Sequence, residues 1–344
     1  MIRIFTSVVC RSAMMALLVG IVQLSGCGGG ALQPGAVDQH VEELMAKDAN
    51  FLLIRSRPGD SFRSIAERLY GSATAAQRLR ELNPALDPQG GELVAAPARV
   101  VNPSGVYRTG YRTIPILSYH QFTARQQARN RLQQTASGFR AQLTFIRDQG
   151  YQVLRLSQLP EYLNGAREIP PKSVIITIDD GYRSAYDVAY PLLREFGYPV
   201  TLFVYTDFIG APAAVSWPQM KTMLASGLVD IQSHAKSHAS LVAPSVPTAD
   251  YSRWLVAEVT EGRRILEQRL GYRVDLFSYP YGDSNDAAVM LLKKQGFRLA
   301  TTVHQGGNPS FSDPYRLRRT MVYSDDDLSS FKRKLQVFVP VRNW

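Results

Sequence analysis

Cysteine is nearly absent from this chain: two occur in 344 residues, Cys10 and Cys27, both near the start. Beyond them no thiol remains to build a disulfide framework. Histidine is scarce too, with five copies, so any two that fall close together carry information. Acidic residues are outnumbered, 29 against 39 basic, which leaves a formal charge of +10. No basic run interleaves with aromatics, which argues against a nucleic-acid reader. Dispersed positive charge of this kind suits a solvated surface, an anionic polymer or a membrane face. There is no internal repeat and no low-complexity segment. The apolar fraction of 45% is ordinary for a protein with a sizeable core.

The apolar run Ala13–Val22 is short for a membrane span. With Arg3 and Arg11 before it, the run reads as a secretory signal. Leu24-Ser25-Gly26-Cys27 resembles the bacterial lipobox. That resemblance implies removal of residues 1–26, lipid on Cys27, and anchoring in the cell envelope. Gly28 after the cysteine implies retention at the outer membrane, facing the periplasm. Residues 27–50 read as a tether, although Val41–Lys47 has fair helical character.

Residues 51–99 carry their own start and stop signals. Phe51–Ile54 predicts a strand, and Pro58-Gly59-Asp60-Ser61 a turn with a helix cap. Phe62, Ile65, Ala66 and Leu69 then form one apolar helix face, which Gly71 ends. A second helix over 74–82 stops at Asn83-Pro84, and Glu92–Pro97 closes the pattern as a strand. This strand-helix-helix-strand order, with Gly59-Asp60-Ser61, Ser64-Ile65-Ala66 and Leu82-Asn83-Pro84, resembles a LysM carbohydrate-binding module. After a linker at 100–113, strands and helices alternate through 114–344, as in a barrel or a doubly wound α/β fold.

The chemistry gathers at predicted strand ends. Val174–Ile178 has the continuous β-branched character of a strand buried on both faces, and it runs into Asp179-Asp180-Gly181. His234 and His238 follow another strand, four residues apart. One carboxylate and two imidazoles make a three-ligand set that leaves a catalytic metal an open position. The second carboxylate is then free to act as a base. His120, Tyr281 and His304 also fall just past strands, where active sites of α/β barrels sit.

Three segments in order, Thr177–Gly181, Ser233–His238 and Ser278-Tyr279-Pro280-Tyr281-Gly282, resemble the first three motifs of the NodB-type polysaccharide deacetylases, carbohydrate esterase family 4. The resemblance implies a distorted (β/α) barrel and a divalent metal, Zn2+ first, with Co2+ or Ni2+ as alternatives. It implies removal of N-acetyl groups from a polysaccharide containing N-acetylglucosamine, either exopolysaccharide or peptidoglycan. By position, Asp179 is the base, Asp180, His234 and His238 hold the metal, and the Tyr281 backbone N–H meets the oxyanion. The family's late Leu-x-His motif, often the site of the acid, has no clear copy here. His304 is the candidate for that role, while His120, in Tyr119-His120-Gln121-Phe122, resembles an early histidine of the poly-N-acetylglucosamine deacetylase branch and takes an active-site position. Ser278 stands where the family often has an arginine that orients the base. Two other readings fit the same residues: a glycan-binding lipoprotein without turnover, and an O-acetyl esterase.

Overall fold

The computed structural model describes residues 44–71, 73–100, 102–242 and 247–341. The expected signal segment, Cys27 and the tether up to residue 43 lie outside them. The chain divides into two compact units, one up to Val100 and one from Val101.

The first unit contains β1 (Leu44–Lys47), β2 (Phe51–Arg55), α1 (Phe62–Tyr70), α2 (Ala76–Leu82) and β3 (Leu93–Pro97). Ser61 caps α1 in a box with Ser64, and Gly71 ends it in a left-handed conformation at φ 67°. Beside that cap, Arg68 grips Asp60 with both guanidinium nitrogens, at 2.8 and 2.6 Å. The expected strand-helix-helix-strand order is present, with β2 and β3 antiparallel neighbours. One difference is β1, which falls where the sequence suggested tether or helix and instead pairs antiparallel with β2. Sheet pairing overrides helix propensity there.

The second unit opens with β4 (Val106–Tyr107), β5 (Gly110–Arg112), β6 (Ile114–Tyr119), β7 (Gln121–Thr123) and β8 (Gln133–Thr135). It continues through α3 (Ala136–Asp148), β9 (Gln152–Leu154), α4 (Leu159–Leu163), β10 (Ser173–Ile178), α5 (Tyr190–Phe196), β11 (Val200–Val204) and α6 (Trp217–Ala225). Then come β12 (Val229–Ser233), α7 (Tyr251–Leu270), β13 (Leu276–Ser278), α8 (Asp286–Lys294) and β14 (Leu299–Thr301). It ends with β15 (Gly307–Asn308), β16 (Thr320–Met321), α9 (Leu328–Lys334) and β17 (Phe338–Pro340). No helix among the described residues is long and apolar enough to cross a membrane.

The main sheet runs β14-β13-β12-β11-β10-β6, all parallel. Its two ends are joined by one irregular segment. Leu317 bridges to Thr301 of β14, and three residues later β16 pairs in parallel with β6. The sheet therefore closes into a distorted (β/α) barrel, as expected.

The two-residue period of each strand sorts side chains between inside and outside. Val174, Ile176 and Ile178 face the helices in the large outer core. Ile175 faces inward with Ile116, Phe203, Leu276, Leu299 and Leu317. Above this apolar plug the inward positions turn polar and fully buried: Ser118, Thr177, Ser278, Thr301 and Arg319. The plug blocks the barrel below, so polar chemistry is confined to the carboxyl ends of the strands.

Candidate active site

Six of the seven predicted residues line one cavity of about 370 Å³ at that end: His120, Asp179, Asp180, His234, His238 and Tyr281. Leu132, Met321 and Tyr323 also line it. His304 is not among its walls. It is exposed, and its carbonyl accepts the Arg319 backbone N–H. The strand before it ends at Thr301 rather than Val303, so the chain has already turned outward.

Asp179 is buried, and its backbone N–H donates to the Tyr119 carbonyl. Both its carboxylate oxygens accept from Arg319, at 2.7 Å each. Arg319 is 0% exposed and spends its other donors on Thr177 Oγ1, Ser278 Oγ and the Thr302 carbonyl. This arginine comes from the barrel-closing segment and was not foreseen. It supplies the partner that Ser278 cannot, and it reaches the same carboxylate from the neighbouring wall. The one signal in the sequence is its position two residues from Leu317 and two from Met321, an arginine on the inward face of a strand-like run. Burial alone pushes the Asp179 carboxyl up. The Arg319 charge, with help from His234, outweighs it and holds Asp179 below the ordinary carboxylate range.

Among the described residues, Asp180 is one of four non-glycine residues in the left-handed region, with Ala235, His238 and Tyr281. All four belong to the three motifs around the cavity. Each such residue costs about 1–3 kcal/mol, and strain of this kind concentrates at functional sites. Asp180 Oδ1 is buried without a hydrogen-bond donor, yet it lies 3.5 Å from His234 Nε2 and 3.2 Å from His238 Nε2. The His234 ring is oriented from behind, where its Nδ1–H donates to the Ser278 carbonyl at 2.7 Å. A carbonyl only accepts, so this bond places the proton on Nδ1 and leaves a lone pair on Nε2 facing the carboxylate. Two electron-rich atoms turned toward each other in a buried site call for a cation between them. One atom from each of Asp180, His234 and His238 fits within 4.8 Å of the others, the spacing a metal ion requires.

The His238 ring is flanked by Tyr205 and Tyr281, with centroids 5.0 and 4.8 Å away. His120 completes the cavity with a buried Nδ1 that has no partner. Burial lowers the His120 pKa, and the charges of Asp179 and Asp180 oppose that shift.

Tyr281 is 62% exposed at the mouth, on a tight turn pinned by Gly282. A Cβ on Gly282 would lie 2.5 Å from both Val303 N and Val303 Cγ2. Gly282→Ala is therefore expected to move the Tyr281 backbone and lower kcat by roughly 100-fold, since an ångström of misplacement has that effect. Metal content should stay at the wild-type level. Steady-state kinetics beside metal analysis would check this.

Two carboxylates, two imidazoles and a buried arginine at the C-terminal mouth of a (β/α) barrel form an arrangement suited to hydrolysis. Residues 166–300 match the sequence profile of the family described as polysaccharide deacetylase. The chain is 27% identical over 236 residues to a poly-beta-1,6-N-acetyl-D-glucosamine N-deacetylase of Escherichia coli, covering 58% of this chain but 35% of that one. It is 26% identical to the enzyme of the same name from Staphylococcus epidermidis, over 56% of this chain and 68% of the other. Among solved structures, IcaB from Ammonifex degensii superposes with a TM-score of 0.57 at 26% identity, covering 65% of this chain and 96% of that one. The second unit is an enzyme domain with the distorted barrel of the NodB type, similar in sequence and fold to polysaccharide deacetylases.

Proposed function

We propose that this protein hydrolyses N-acetyl groups from a polysaccharide containing N-acetylglucosamine, with a divalent metal held by Asp180, His234 and His238. The observation that carries the reading is the Asp180 carboxylate facing two imidazole nitrogens, beside a second carboxylate fixed by a buried arginine. A metal bound there would polarise the amide carbonyl and acidify a water. A mixed nitrogen and oxygen set suits Zn2+, and also Co2+ or Ni2+.

The chain's own groups do the rest. Asp179 is kept ionised by Arg319 and accepts the proton of the attacking water. The backbone N–H of Tyr281 is the donor for the oxyanion, a role worth about 3–4 kcal/mol. The leaving amine needs a proton, and the role is assigned to His120, which lines the cavity and has a buried Nδ1 without a partner. With Arg319 in the orienting role, the serine at 278 lends no support to a binding protein without turnover.

The names of the relatives support a poly-N-acetylglucosamine of the exopolysaccharide kind over peptidoglycan as the natural polymer. In this reading the first unit is a LysM-like module that retains the glycan. Lipid on Cys27 holds the protein in the outer membrane, facing the periplasm.

The test is acetate release from N-acetylglucosamine oligomers set against O-acetylated glycans of matched length. The expected result is faster release from the N-acetylated set. Release confined to the O-acetylated set would replace the deacetylase reading with an esterase.

A further inference from the structure

The loop that carries the two histidines is held by a carboxylate from a distant helix. Glu258 lies on the inner face of α7, among Leu255, Val259, Gly262 and Leu266, and is 5% exposed. Its Oε2 accepts the backbone N–H groups of Lys236 and Ser237, at 3.2 and 2.9 Å. Its Oε1 accepts Ser237 Oγ at 2.8 Å. All three donors lie between His234 and His238. The Lys236 ammonium is turned to Asp207 instead, at 2.8 and 2.7 Å, so Glu258 serves the backbone of the loop.

That backbone needs holding. Ala235 and His238 have φ of 64° and 62°, a region side chains resist. One helical turn after Glu258, Gly262 lets α7 press against the loop, where an added Cβ would lie 2.9 Å from the Ala235 carbonyl oxygen. An apolar side chain at 258 would pack the helix equally well. A buried carboxylate is costly unless it is fully hydrogen-bonded, and the bonds that compensate it all belong to this loop.

We propose that Glu258 is a positioning residue that sets the separation of His234 and His238, and with it the metal affinity, with Gly262 as the steric half of the same mould. The inference rests on the metal reading above. Groups that orient ligands in this way typically change metal affinity by about 10–100-fold when removed.

The test is a Co2+ titration of chelator-stripped full-length protein, read by the visible absorption of the bound ion. Wild type, Glu258→Gln, Ser237→Ala and Gly262→Ala are compared, with melting curves recorded in chelator. Glu258→Gln and Gly262→Ala are expected to weaken Co2+ binding by about 10–100-fold and to change the band shape. Ser237→Ala, which removes one of three bonds, should have a smaller effect in the same direction. If Glu258→Gln does not fold, the other two variants decide. Folded variants that bind Co2+ as wild type does, with an unchanged spectrum, would overturn the inference and leave the metal reading intact. A wild type that takes up no Co2+ would overturn both.

Discussion

Asp179→Asn is expected to lower turnover by about 10²–10⁴-fold, the range that general-base catalysis supplies. The amide has nearly the shape of the carboxylate, so the cavity keeps its form. It cannot take a proton from water. The metal set does not include Asp179, so metal content should equal that of wild type. Arg319 is then left buried against a neutral group, and the melting temperature should fall as well. Acetate release normalised to folded protein separates the two effects. Turnover within a few fold of wild type would remove Asp179 from the mechanism.

The second large effect is expected at Arg319. Arg319→Met leaves Asp179 buried without its guanidinium partner, and breaking a buried pair in this way typically costs about 3–5 kcal/mol. Its effect on the base has a definite sign. Burial raises the Asp179 pKa and the arginine charge lowers it, with the lowering dominant in the intact protein. Without the arginine, burial prevails and the carboxylate forms only at higher pH. The acidic limb of kcat/KM should therefore move upward in pH. Arg319→Lys should not restore it, because one ammonium cannot serve both carboxylate oxygens, Thr177 and Ser278 together. Ser278 Oγ lies 2.9 Å from Arg319 Nη2, so an arginine at 278 starts close to the same carboxylate. The exchanged double variant, Ser278→Arg with Arg319→Ser, is expected to recover part of the turnover that Arg319→Ser loses. An unshifted pH profile in Arg319→Met would show that the arginine is structural only.

The contrast between Asp179 and Arg319 shows what local sequence reveals. Asp179 and Asp180 follow a β-branched run that can only be a buried strand, and His120 and His234 follow two others, so their convergence could be anticipated. The inner face of those strands was equally legible through its two-residue period. Arg319 was hidden because its strand exists only as a closure. Leu317 touches one edge of the sheet, Thr320 and Met321 touch the other, and no long apolar run announces it. Glu258 was hidden because its partners are backbone amides more than twenty residues away in sequence. His304 was misplaced by the same strand-end reasoning that succeeded elsewhere, because β14 is two residues shorter than its apolar pattern. β1 was missed because pairing with β2, rather than its own pattern, makes it a strand.

The proposed function turns on a metal, held by Asp180, His234 and His238, on which deacetylation would depend. The most direct measurement is acetate release from N-acetylglucosamine oligomers by the purified protein as isolated, after chelation, and after stoichiometric Zn2+, Co2+ or Ni2+ is returned. Release is expected to be abolished by chelation and restored by one metal equivalent, with no restoration in His238→Ala. Release that persists in metal-free protein would contradict it.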